Sequence, residues 1–206
     1  TNAIKDSKHD SFQTYFDLKS AKMIKAKIGT PDFITFTNVF AHISNLQELL
    51  DSLRLLISPN TIIIIENHYL GSILESNQFD TFYHEHPRTY SYRSFQFIAK
   101  SLGLNFLDAQ YVSRYGGNIR VYLGRGKEQS KPSKNEAKFR EDFIETQKGI
   151  EKWKVETRVK ILDLIKAYGK LRAKAFPGRA AILIKLLRLN ESHISAVYEI
   201  KGSMKV

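Results

Sequence analysis

Between Phe79 and Pro87 the chain reads Phe-Asp-Thr-Phe-Tyr-His-Glu-His-Pro, so a phenol, two imidazoles and two carboxylates share one short stretch. Those side chains move protons near neutral pH, which marks the stretch as a candidate catalytic loop. In an extended segment alternate side chains share a face, pairing Tyr83 with Glu85 and His84 with His86. In an irregular loop Tyr83, Glu85 and His86 could converge instead. Such a set could combine an imidazole base, a carboxylate that fixes its tautomer, and a phenol that donates to a developing oxyanion. Three plainer readings stand beside this one. The stretch could be a polar surface loop, or its histidines could pair with Asp80 or Glu85 for structure alone. It could also hold a metal through His84 and His86 with Glu85 or His42. The metal reading needs a further ligand on a partner strand in a β-rich barrel, which the pattern does not offer, so no metal is expected.

Two further places carry possible chemistry. Asn38, in Asn38-Val39-Phe40-Ala41-His42, lies just past an expected parallel strand, the edge where open α/β sheets bind ligands. His42 would follow one turn later. The plainer alternative makes Asn38 a turn cap and His42 a core histidine. Gly178-Arg179-Ala180 falls between a strand and a helix, a weak anion-site pattern for which an ordinary strand-to-helix turn is the stronger reading.

The elements that must position these residues are legible from periodicity. Helical spacing runs from about Tyr15 to Ile28 and is stopped by Gly29 and Pro31. Asp32 to Thr37 reads as a short buried strand. Leucines 46, 49, 50, 53 and 56 predict a helix capped by Asn45, with Glu48 three residues on. Thr61 to Ile65 reads as a strand covered on both faces, which completes a βαβ unit and a parallel pair. Asn67 to Asp80 should connect with a turn or two of helix. Ser91 should cap a helix to Leu102 that is ended by Gly103. Strands at about Leu104–Val112 and Asn118–Gly124 should form an antiparallel pair across Arg114-Tyr115-Gly116-Gly117. Gly126 to Asn135 reads as a linker, Glu136 to Tyr168 as a long helix. Leu171–Phe176, Arg179–Leu189 and His193–Ile200 read as a second βαβ unit.

Composition sets the bounds. The 206 residues are 42% hydrophobic, enough for a core in one large domain or a domain with a smaller one. The chain has no cysteine, which excludes disulfides and thiolate zinc within it and makes an intracellular, cytoplasmic setting the default. No apolar run approaches the roughly 18 residues of a membrane helix, so no membrane partner is expected. A net charge of +11 favours an anionic partner. Lys170, Arg172, Lys174, Arg179 and Lys185 concentrate that charge, yet no nucleic-acid motif accompanies it, and nucleic acid is not the expected partner.

Taken together, Asn38–His42, Phe79–His86, Gly116-Gly117-Asn118-Ile119-Arg120 and Glu199-x-x-Gly202-Ser203-x-Lys205 resemble, in that order, the S-adenosylmethionine-dependent sugar C-methyltransferases. Members of that family add methyl branches to nucleotide-activated deoxysugars. The resemblance implies a zinc-binding N-terminal domain, a Rossmann-type methyltransferase domain and a second α/β domain. This chain is similar to the back half of the middle domain, placed at residues 1–126, and to a long helix with part of a smaller Rossmann-like α/β domain at 127–206. The fold class expected is therefore α/β, an incomplete class I methyltransferase domain followed by a smaller α/β one. The zinc-binding cysteines, the Gly-rich loop and the acidic ribose-binding residue of the family are not in the sequence. The expectation is a piece of a longer protein, because a sheet starting at its fourth strand would expose an unpaired edge. The main S-adenosylmethionine site would then lie before Thr1.

By the same resemblance, His86 is the general base toward a carbon next to a keto group, supported by Glu85. Tyr83 stabilises the enolate oxygen or shares the proton transfer. His42 lines the site, Asn38 touches the cofactor, and Asn118, Arg120 and Arg179 bind a nucleotide-sugar-like anionic substrate. Two departures bear on the sugar: Asn118 stands where Ser is expected, and Phe176-Pro177-Gly178-Arg179-Ala180 replaces a Lys-containing turn. The competing reading is a non-catalytic methyltransferase-like module that binds an anionic ligand or partner.

Overall fold

The computed structural model describes residues 9–128, 136–175, 178–199 and 201. Contacts divide the chain into two units, Thr1–Tyr69 with Tyr90–Ser133 and Leu70–Thr89 with Lys134–Val206. The segment holding the Tyr-His-Glu-His block thus groups with the C-terminal part, whereas a linear reading puts it with the residues before 126.

The first unit is built on one four-stranded sheet. Helix α1 (Leu18–Ile28) starts later than Tyr15 because Asp17 and Ser20 close a reciprocal capping box. Strand β1 (Phe33–Thr37) is followed by helix α2 (Leu46–Leu56), whose first turn is capped by Asn45 accepting from the Glu48 amide at 3.2 Å. Strand β2 (Ile62–His68) runs parallel to β1. Helix α4 (Tyr92–Ser101), strand β3 (Asn105–Val112) and strand β4 (Asn118–Gly124) complete it; the short helix α3 (Leu70–Glu75) belongs to the second unit. The order is β1-β2-β4-β3, with β4 antiparallel to both neighbours. The β3–β4 link places Tyr115, Gly116 and Gly117 all at positive φ, the reversal that Gly-Gly suits. The core comprises Leu49, Leu53, Ile63, Ile65, Phe95, Phe106, Ile119, Val121 and Leu123. Phe40, Tyr90 and Phe95 add an aromatic cluster in which Tyr90 and Phe95 stack at 5.0 Å.

Two expectations are corrected here. Strand β1 is not buried: alternate residues face solvent and Phe33 is 63% exposed, because β1 is the edge of this sheet. Strand β2 does not stop at Ile65 but continues through Glu66, Asn67 and His68, with Glu66 bonded to Asn118 on β4 and Asn67 Oδ1 accepting from the Ala41 amide after β1.

In the second unit, Phe79–Thr81 forms a single 3₁₀ turn and Glu136–Lys138 another. Helix α5 (Phe139–Tyr168) is amphipathic only in part: Phe143, Val159 and Leu162 remain substantially exposed. Strand β5 (Leu171–Lys174), helix α6 (Ala180–Leu186) and strand β6 (Ile194–Tyr198) form a parallel βαβ unit, each element shorter than the periodicity suggests. Most of the linker, Pro177, and Gly202, Ser203 and Lys205 lie outside the described residues. Among the described residues no helix is long and apolar enough to cross a membrane.

Candidate functional site

In the first unit the polar residues gather at the carboxyl ends of β1 and β2. Asn38 closes β1 with φ of 54°, and its amide nitrogen donates to the Glu66 carbonyl at 2.8 Å. The register of β2 with β4 sets Glu66 opposite Arg120 and His68 opposite Asn118. Arg120 donates twice to Glu66 Oε2, from Nε at 2.9 Å and Nη2 at 2.7 Å. Asn118 Nδ2 lies 3.1 Å from Glu66 Oε1 and 3.0 Å from Asn38 Oδ1. Burial alone would raise the Glu66 pKa; the bonds from Arg120 and Asn118 more than offset it, so the carboxyl titrates below its ordinary value. Asn67, on the opposite face, accepts from the Ala41 amide at 3.4 Å. Two buried amide atoms here, Asn67 Nδ2 and Asn118 Oδ1, have no protein partner among the described residues. His42 is exposed at the end of the 3₁₀ turn Phe40–His42.

Sequence reasoning missed Glu66. The available signal was a lone carboxylate directly after four isoleucines, a charge that a strand interior tolerates only with a partner.

In the second unit the Tyr-His-Glu-His stretch is a turn, not an extended strand. The Phe79–Thr81 turn leads into it, and the His86 amide donates back to the Tyr83 carbonyl at 2.8 Å. The turn brings Tyr83, Glu85 and His86 together, the convergence available to an irregular loop. Tyr83 Oη donates to Glu85 Oε2 at 3.0 Å, and the rings of Tyr83 and His86 lie 4.6 Å apart. His86 Nδ1 is 3.1 Å from the Thr81 carbonyl oxygen. A carbonyl only accepts, so Nδ1 carries the proton and neutral His86 keeps its lone pair on Nε2. The tautomer is thus held by Thr81, while the Glu85 carboxylate is engaged with Tyr83 and lies 3.8 Å from His84. Burial first, then Glu85, push the Tyr83 phenol above its ordinary pKa, with Arg179 pulling the other way.

Apolar anchors fix this loop within its unit. Phe79 meets Trp153 of α5 edge-on at 5.0 Å, and Phe82 lies 6.5 Å from Phe143. Arg179 reaches Asp80 at 3.4 Å. Gly178 is seated against the loop so closely that a Cβ there would come within 3.1 Å of Tyr83 Cε2. Among the described residues no group of three His, Asp or Glu side chains gathers in a metal-holding arrangement.

An α/β sheet ending in an antiparallel pair, with polar residues at the carboxyl ends of its parallel strands, is an architecture used by methyltransferases. Residues 3–109 match the family profile described as "Methyltransferase domain", and the chain belongs to that family. Membership implies S-adenosylmethionine as methyl donor. The chain is also 31% identical over 107 residues to the C-methyltransferase NovU of Streptomyces niveus. That match covers 52% of this chain and 26% of the relative, so the chain spans about a quarter of the relative's length. The family match contains Asn38, His42, Glu66 and Tyr83–His86, and ends before Asn118, Arg120 and Arg179.

Proposed function

We propose that the protein is a C-methyltransferase that removes a proton from a carbon beside a carbonyl and methylates that carbon, with a nucleotide-activated keto-deoxysugar as substrate. The observation that carries this reading is the His86 tautomer. With Nδ1–H held by the Thr81 carbonyl, the neutral ring carries its lone pair on Nε2, the atom we assign as the base. Tyr83, kept protonated by its raised pKa, supports the reaction by turning its hydroxyl from Glu85 to the developing enolate oxygen. Glu85 acts on Tyr83 more directly than on His86 in this arrangement. Arg179 supplies positive charge for an anionic substrate within the second unit; in the first unit Arg120 and His42 are assigned to ligand contacts, and Asn118, fully buried, acts through its bonds to Glu66 and Asn38.

Asn38 fits a contact to the cofactor. It is half-buried at the sheet edge, and its Nδ2 has no hydrogen-bond partner among the described residues. When bound, S-adenosylmethionine supplies an electrophilic methyl group; the residues described here orient the reactants and move the proton. The test is mass-shift detection of methyl transfer by the full-length protein across a panel of keto-sugar nucleotides. A product heavier by one methylene unit on carbon supports the reading. Cofactor binding with no transfer to any panel member favours instead a methyltransferase-like binding module for an anionic ligand.

A further inference from the structure

Every hydrogen bond around Glu66 constrains the next. A carboxylate only accepts, and the two Arg120 bonds keep Glu66 charged. The group facing Glu66 Oε1 must therefore be a donor, which sets the orientation of the Asn118 amide with Nδ2 toward Glu66. The second proton of the same Nδ2 points to Asn38 Oδ1. Turning Asn118 over would set oxygen against two oxygens at once. Asn38 Oδ1 is thereby committed as an acceptor, and the amide's other end, Nδ2, is the one presented outward. The backbone of Asn38 is held too, by its own amide on the Glu66 carbonyl and by φ of 54°.

We propose that Glu66 is a positioning residue that, through Asn118, fixes the Asn38 amide so that it offers a donor to the cofactor, and hence meets an acceptor atom of it. The proposal rests on Asn38 being a cofactor contact. It requires an amide, not a hydroxyl, at position 118. One hydroxyl carries one proton and cannot donate to Glu66 and Asn38 together, whereas an amide NH2 can.

The consequence can be tested by reversing the relay. In Glu66→Gln the side-chain oxygen must still face Arg120, so its NH2 faces Asn118. Asn118 then turns its oxygen inward and Asn38 turns to match, so that an acceptor meets an acceptor at the ligand. Titration of S-adenosylhomocysteine into the full-length protein should show about tenfold weaker binding for E66Q, the scale of one mismatched buried hydrogen bond. Adding Arg120→Met frees the glutamine to put its oxygen back toward Asn118, and the double variant should recover most of the affinity. A merely structural role predicts the opposite, a further loss. Wild-type affinity in E66Q, or no recovery in E66Q/R120M, overturns the proposal. If E66Q does not fold, N118S serves: it should weaken binding several-fold, and R120M added to it should restore nothing, whereas recovery there overturns the relay. Wild-type protein that fails to bind S-adenosylhomocysteine overturns the Asn38 assignment itself, and the relay with it.

Discussion

Glu66 and Glu85 are both carboxylates joined to a proposed site residue, but Glu66 is 3% exposed while half of the Glu85 side chain is in solvent. Glu66 receives three side-chain hydrogen bonds from two residues of the neighbouring strand. Glu85 receives one, from a residue two positions away in its own turn. The sheet edge is therefore tied at several points across two strands. The loop is held by its aromatic anchors and by Thr81, while the His84 and Glu85 side chains are largely in solvent. That division suits the proposed chemistry, in which the cofactor contact must be fixed and the proton-handling groups must reorganise during turnover.

The contrast can be broken most directly at His86. His86→Ala should reduce methyl transfer by about 10³-fold, within the range for removing a general base, and leave S-adenosylhomocysteine affinity unchanged. Full activity in that variant removes His86 as the base. The next effect concerns stability. Glu66→Ala strands Arg120 and Asn118 and should cost about 2–3 kcal/mol in urea denaturation, whereas Glu85→Ala should stay within about 0.5 kcal/mol. Equal costs would mean the two carboxylates are not built differently after all.

Acid sharpens the same comparison. Because the folded Glu66 pKa is depressed, its contribution is complete above the ordinary carboxylate value and is lost as the pH falls through the lowered one. The stability gap between wild type and E66Q should thus be widest at neutral pH and close in acid, read from urea midpoints at about pH 7 and pH 3. The smallest effect is expected at Gly178. A methyl group there must displace the Tyr83 ring, since its Cβ would sit 3.1 Å from Cε2. Gly178→Ala should lower kcat several-fold with little change in melting temperature.

Much of this was legible in the chain itself. Asn45 and Ser91 mark helix starts by their capping chemistry, and each caps as its local sequence requires. Gly103, Gly116 and Gly117 take the positive φ that their positions need. The Tyr-His-Glu-His block declares itself by residue type. Glu66 was hidden because a strand is recognised by its apolar side chains, and a carboxylate at its end looks like the place where the strand stops. The tie between the loop and the later part of the chain was hidden as well. Phe79 and Trp153 are 74 positions apart, and no local pattern records a pairing at that range.

What the sequence determined by itself is therefore local: the caps, the turns, the order of helices and strands, and the candidate proton-handling residues, all set by interactions within a few positions. The tertiary structure decided the partners. Strand register put Arg120 and Asn118 on Glu66, and a tight turn put the His86 imidazole on a backbone carbonyl instead of a carboxylate. Hydrogen-bond direction depends on which group stands opposite, and that is fixed only when distant segments are brought together.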